Sequence, residues 1–198
     1  MLEFVLFEAF WVVAFIIAFV HASRKSLFNA CLFLFPAVIW SFLVELTGVH
    51  WWGIYTYSDN FLLSLFGVPI SVALGWATIE YLGYLLITKY IHTRKPVEKY
   101  VESALVATLI DFILLEPFAF IFKWWFWKQN DFWFGAPLFN FIGWFLLITI
   151  YLNAYRHITS RFKTPLEKAK YFLLILTIGF LFLELFTYTY ITLFGKCI

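Results

Sequence analysis

Gly67-Val68-Pro69-Ile70-Ser71-Val72-Ala73-Leu74-Gly75-Trp76 returns later in the chain as Gly135-Ala136-Pro137-Leu138-Phe139-Asn140-Phe141-Ile142-Gly143-Trp144. The Gly-x-Pro and Gly-Trp elements are both offset by 68 positions, 67 to 135 and 75 to 143. Upstream, Tyr55-x-Tyr57 is answered by Trp125-x-Trp127 once two residues are dropped from the second copy. Glu45 stands ten residues before Tyr55, and Glu116 nine before Trp125. Acid, aromatic pair, Gly-x-Pro and Gly-Trp thus occur twice in one order, and a repeat constrains architecture before any local assignment is made.

Composition decides the medium in which this repeat sits. The 198 residues are 64% hydrophobic and 13% charged, against roughly a quarter charged in a soluble domain. A spanning helix needs about 20 mostly apolar residues, and six such segments can be marked at about 4–21, 28–46, 67–88, 101–122, 138–155 and 171–194. The expectation is an all-α, polytopic bundle of six transmembrane helices forming one domain over residues 1–198. Spans two and three make one copy of the repeat, and spans four and five the other. Both copies start on the same side, so the repeat is parallel, related by an axis roughly normal to the membrane. Glu184-Leu185 followed by Tyr188-x-Tyr190 offers a partial third echo.

The basic residues are unevenly shared. Arg24 and Lys25, then Lys89, Arg94, Lys95 and Lys99, then Arg156, Arg161, Lys163, Lys168 and Lys170 flank the connections on one side, leaving Lys123, Lys128 and Lys196 for the other. By the positive-inside rule the basic side is cytoplasmic and both termini are extracytoplasmic; the expected location is the plasma membrane of a prokaryote. The first span carries Glu3 and Glu8, lacks a basic leader and ends in no small-residue cleavage pattern, so it reads as a span. Cys31 and Cys197 suggest no disulfide framework. The basic loops are accounted for by topology and imply no nucleic-acid partner. Lys95-Pro96 and Thr164-Pro165-Leu166-Glu167 read as helix starts, since Pro is tolerated in a first turn.

Glu8, Glu45, Glu80, Asp111, Glu116 and Glu184 all fall inside the expected spans, and no Lys or Arg occupies the middle of any span. A charged acid at the bilayer centre costs about 2.5–3.5 kcal/mol on insertion scales. These acids must line water, accept hydrogen bonds from Tyr, Trp, Thr or Asn, or remain protonated. A neutral carboxylic acid in an apolar site can donate a proton; the competing role is interhelical hydrogen bonding, worth about 0.6 kcal/mol on average. Asp111 and Glu116 lie about 140° apart on an ideal helix, and Pro117 is expected to kink or open the ladder and bring them toward one cavity. Glu80 has Tyr84 one turn away. Glu8 and Glu184 read as structural. The aromatic connections, residues 47–66 and 123–136, would serve as interfacial belts, but fixed spacing of Gly-x-Pro and Gly-Trp points to defined elements folded over the bundle.

Other chemistries find no support in the chain. It has no paired-aspartate motif for diphosphate ionisation, and His21, His50, His92 and His157 have no metal-site spacing, so no metal is expected. No strand is expected, no nucleotide fingerprint is present, and no Ser or Cys nucleophile with its base is evident. Acids, aromatic faces and a greasy interior suit electrophilic addition to an alkene. An acid protonates an isoprenoid double bond, aromatic quadrupoles stabilise the tertiary cation, water attacks and a second carboxylate takes its proton.

Glu45 with Gly53-x-Tyr55-x-Tyr57, Phe66-Gly67-Val68-Pro69 and Trp76, followed by Asp111-x4-Glu116-Pro117, Trp125-x-Trp127 and Gly135-Ala136-Pro137-Leu138-x-Asn140-Phe141-x-Gly143-Trp144, resembles the membrane carotenoid biosynthesis family that includes bisanhydrobacterioruberin hydratase and carotenoid 1,2-hydratases. The resemblance covers about residues 40–150, and it departs from the family in carrying Glu116 where Asp is more usual before Pro117. It implies addition of water to the terminal double bond of an acyclic or ψ-ended carotenoid drawn from the lipid phase, with no organic cofactor and with membrane lipids as the other partners. On this reading Asp111, Glu116, Glu45 and Glu80 are candidate catalytic acids. Tyr55, Tyr57, Trp76, Trp125, Trp127, Asn140 and Trp144 are candidates for substrate binding, Asn140 orienting water or capping a helix start. The second copy, which alone adds Asp111, Pro117 and Asn140, is expected to hold the chemistry, with the first as scaffold. Two alternatives stay open. A small membrane lycopene cyclase uses similar cation chemistry but is expected to carry acids just after Gly-x-Pro, where this chain reads Ile70-Ser71 and Leu138-Phe139-Asn140. A non-catalytic carotenoid or lipid binder, or a small transporter, is the other.

Overall fold

The computed structural model describes residues 1–90, 96–128 and 132–194. His92, Arg94, Lys95, Lys196 and Cys197 lie outside the described residues. Six helices are long and apolar enough to cross a membrane, and the protein is an all-α integral membrane bundle. They are α1 (Leu2–Ser23), α2 (Leu27–Leu46), α3 (Ile70–Tyr90), α4 (Pro96–Ile110) running on into α5 (Glu116–Phe122), α6 (Leu138–Arg161) and α7 (Pro165–Phe194).

Several helix starts follow from local chemistry. Ser26 caps α2 by accepting from the Asn29 N–H at 3.2 Å, satisfying one of the donors a first turn leaves free. At α7 the Glu167 N–H donates to the Thr164 hydroxyl oxygen at 3.3 Å while the Thr164 N–H donates back to Glu167 at 3.4 Å. That reciprocal pair is a capping box, and Pro165 occupies the first turn, where its missing N–H costs nothing.

α3 is the most enclosed span and packs against α1, α2 and α4, while α6 joins α4 to α7. Small residues permit the closest crossing: a Cβ on Gly83 would sit 2.7 Å from the Ser103 carbonyl oxygen of α4, so only glycine lets these backbones meet. Across the bundle, Trp76 of α3 and Trp144 of α6 stack with centroids 3.2 Å apart and planes 12° from parallel. Such a pair contributes about 0.5–1.5 kcal/mol beyond its buried area.

The expectation that the chain has no strands fails. α2 passes through a π-helical turn, Thr47–Trp52, to Gly53 in the left-handed region (φ 61°), and then to β1 (Tyr55–Tyr57). α4 passes through a π-helical turn, Asp111–Leu115, to α5, to Lys123 in the left-handed region (φ 57°), and then to β4 (Trp125–Trp127). β1 and β4 pair antiparallel, Tyr55 opposite Trp127 and Tyr57 opposite Trp125, so both aromatic connections close the same end of the bundle. Three-residue strands built from Tyr and Trp leave no alternation long enough to separate them from an interfacial belt.

The third span also begins later than expected, at Ile70. Gly67-Val68-Pro69 belongs instead to a hairpin of β2 (Ser64–Leu65) and β3 (Val68–Pro69). Its two-residue turn, Phe66-Gly67, has φ of 50° and 71°, the double positive φ of a type I′ turn. Phe134-Gly135, with φ of 48° and 87°, turns in the same way inside the Trp133–Ala136 bridge. The glycine of each Gly-x-Pro is therefore a turn requirement, since positive φ is costly for residues with a Cβ.

Candidate active site

Beneath the β1–β4 ribbon lies a cavity of about 50 Å³, room for a few waters by the measure that one needs about 10–15 Å³. Ten of the eleven residues singled out in the sequence line it: Glu45, Tyr55, Tyr57, Trp76, Asp111, Glu116, Trp125, Trp127, Asn140 and Trp144. Phe7, Trp11, Val72, Gly75 and Leu115 complete its wall.

The π turn Asp111–Leu115 places two of the acids. Asp111 and Glu116 would diverge on an ideal helix, but the Glu116 N–H donates to the Asp111 carbonyl five residues back, stacking the two positions on one face. Pro117 has no N–H to give to the carbonyl of Ile113, and its ring crowds that carbonyl. The wider turn next to Pro117 relieves both problems. The Phe112 carbonyl is met by the Trp133 indole N–H at 2.7 Å, so the irregular backbone is not left unsatisfied.

Asn140 then joins the acids. Its side-chain nitrogen donates to Asp111 Oδ2 and to Glu116 Oε1, each at 2.9 Å. Its side chain makes no helix cap: Pro137 is the N-cap of α6, without a side-chain cap bond. The bridging role replaces the capping one. Glu116 Oε2 also accepts from the indoles of Trp125 at 3.1 Å and Trp127 at 3.0 Å. Glu45, at the matching place in the other half, accepts from the hydroxyls of Tyr55 and Tyr57 and from the Trp76 indole at 2.7 Å. Indole N–H groups only donate. Glu45 and Glu116 are thus each ringed by three donors, the surroundings of a carboxylate anion, while Asp111 receives Asn140 alone among these side chains.

Burial, and after it the neighbouring Glu45 charge, push the phenols of Tyr55 and Tyr57 well above the usual tyrosine range. Both stay neutral donors to Glu45 at any physiological pH. Space under Tyr55 is tight: a Cβ on Gly48 would lie 2.7 Å from its hydroxyl oxygen.

Glu80 is not brought into this group. It is buried on α3 one turn beyond Trp76, does not line the cavity, and neither carboxyl oxygen has a hydrogen-bond partner among the described residues. Glu8 accepts the Leu62 and Leu63 N–H groups at 3.2 and 3.0 Å, which ties the β2 approach to α1. Glu184 accepts from Thr47 and from the Trp52 indole, both at 2.7 Å. It lines a second cavity of about 80 Å³ that shares Glu45, Tyr55, Trp76, Trp127, Asn140 and Trp144 with the first. Phe7 and Trp11 of α1 were missed in the sequence. Their span is apolar on every side, so no periodicity marks which residues face inward; the nearest signal is Gly75, whose missing Cβ admits the Trp11 ring at 3.0 Å.

No curated protein and no solved structure matches this chain. Residues 4–197 match the family described as carotenoid biosynthesis protein. With a match that spans almost the whole sequence and a membrane bundle that gathers acids and aromatic rings around one cavity, the chain belongs to the carotenoid biosynthesis protein family and has its role in that pathway.

Proposed function

We propose that this protein is a cofactor-independent carotenoid hydratase, adding water across a terminal isoprenoid double bond of an acyclic or ψ-ended carotenoid. The observation that carries the reading is the pair Asp111 and Glu116 held on one Asn140 amide inside an aromatic cavity. Two carboxylates that share a donor repel one another when both are ionised, so the favoured state holds one proton between them. Asp111, the less solvated by donors, carries that proton; Glu116, with its indole donors, carries the charge.

The steps balance without an outside reagent. The Asp111 O–H proton adds to the less substituted carbon of the terminal double bond, and the π bond breaks to leave a tertiary cation on the other carbon. Faces of Trp76, Trp144, Tyr55 and the β4 indoles stabilise that cation through their quadrupoles. A water oxygen bonds to the cation while Glu116 takes one of its protons. Proton return from Glu116 to Asp111 across the shared cavity restores the starting state. Glu45, tied to Tyr55, Tyr57 and Trp76, supplies a fixed negative charge beside the developing positive one.

The same reading makes the two helix–π turn–strand succession units copies of a parallel repeat, with the aromatic end outside, the basic end cytoplasmic and the protein in a prokaryotic plasma membrane. The test is conversion of lycopene by the purified chain in phosphatidylcholine proteoliposomes. Product heavier by one water supports the hydratase. An isomeric, ring-ended product would transfer the same acids to a cyclase, and pigment recovered unchanged would leave a binder.

A further inference from the structure

A lipid-facing groove of about 700 Å³ runs between α1 and the α3, α4 and α5 wall. All its lining residues are apolar apart from Glu3 and Thr78, and Phe10 and Leu6 are more than half exposed. It shares Phe7, Trp11 and Leu115 with the acid cavity, so one layer of side chains is all that separates lipid from Asp111 and Glu116. The rings form a continuous run: Phe10 meets Trp11 at 4.9 Å, Trp11 meets Phe7 at 6.2 Å, and Phe7 meets Trp124 at 4.3 Å between centroids. A second apolar groove of about 440 Å³, between α2 and α7, shares no residue with the acid cavity.

The cavity itself is too small for an isoprenoid end with its chain, which exceeds the room for a few waters. The adjoining cavity of about 80 Å³ lies toward α2 and α7, at Thr47 and Glu184, and is likewise small. From this geometry we propose that the α1 groove is the binding site for the polyene chain of the substrate, and that Phe7 and Trp11 are the gate through which its end reaches the acids. This inference rests on the acid cavity being the reaction site. The occupant is a linear conjugated isoprenoid, because this apolar groove, unlike the α2–α7 one, adjoins the acids, and aromatic rings set edge to face along it suit a polarisable polyene. Phe7 and Trp11 position the substrate and take no part in proton transfer.

Two measurements test it on the full chain in phosphatidylcholine proteoliposomes. With p-benzoylphenylalanine in place of Phe10 in this groove, or of Phe35 in the α2–α7 groove, light should attach lycopene at position 10 and not at 35. Filling the groove by Ala14→Trp should lower kcat/KM for lycopene about tenfold or more, and Leu43→Trp in the other groove should leave it unchanged. Ala14→Trp should also spare conversion of a monoterpene with the same end group, too short to lie along the groove, which separates blocked access from a misfolded site. Equal labelling at 10 and 35, or phospholipid alone attached at both, with unaltered turnover in Ala14→Trp, overturns the inference. Lycopene attached only at position 10 in a protein that converts no carotenoid would end the hydratase reading and leave this binding site standing.

Discussion

Replacing Asn140 by Leu removes the one amide that holds both acids while keeping a side chain of similar size. Each of its two N–H bonds is 2.9 Å long, and the two go to carboxyls of opposite protonation state under the proposed mechanism. A hydrogen bond to a charged group contributes about 1.5–3 kcal/mol, and one to a neutral group about 0.5–1.5. Glu116 keeps its two indole donors, so folding should survive, with interhelical bonds in membranes costing as little as about 0.6 kcal/mol each. Catalysis depends on the charge-assisted bond, whose loss converts at 1.36 kcal/mol per tenfold into a fall in kcat of about 10- to 150-fold. Turnover of lycopene in proteoliposomes, followed by mass of the product, reads this directly, and a thermal unfolding midpoint on the same sample checks the fold. Asn140→Leu with undiminished kcat would refute the claim that the bridging amide organises the acid pair. A large loss of kcat accompanied by collapse of the unfolding transition would refute the separation of chemistry from stability.

Asp111→Asn and Glu116→Gln keep shape but remove the transferable proton and its acceptor, so each should lower kcat by about 10²–10⁴-fold; wild-type product from both would dismiss the mechanism. Glu80→Met should leave turnover unchanged and raise the unfolding midpoint, because a buried carboxyl with no partner costs stability; lost activity in a folded Glu80→Met protein would return that acid to the site. The raised phenols of Tyr55 and Tyr57 give a pH prediction with a definite sign. Their contribution to stability is complete below about pH 10, the unfolded tyrosine value, and drains away as pH climbs above it. Tyrosinate absorbance at about pH 10.5 should therefore be the same in wild type and in Tyr55→Phe or Tyr57→Phe while the protein is folded; a smaller signal in either variant contradicts their burial.

How far the site was legible depends on what kind of signal each residue left. Glu45 and Glu116 could be paired because each precedes an aromatic couple at nearly one spacing, and those couples donate to them in space. Asp111 and Asn140 stood out as polar residues in expensive surroundings. Ideal helical geometry sets Asp111 and Glu116 apart; Pro117 marks where the ladder opens, and the π turn there brings the two together. Glu80 is as costly a residue as Glu45 by composition, and nothing in its neighbours told that it points away from the cavity. Phe7 and Trp11 were invisible among equally apolar positions.

Composition alone determined that the chain lives in a bilayer as six helices, because no run of such apolarity can leave its backbone unpaired in lipid. The doubled order of acid, aromatic couple, Gly-x-Pro and Gly-Trp identified which residues carry information. Only the tertiary structure decided which of them meet. Convergence on one cavity depends on a widened helical turn, on two three-residue strands pairing across distant loops, and on α1 closing the wall. Pro117 marks the place of the widened turn, but the strand pairing and the closing of the wall are packing between segments far apart in the chain, and no local spacing encodes them.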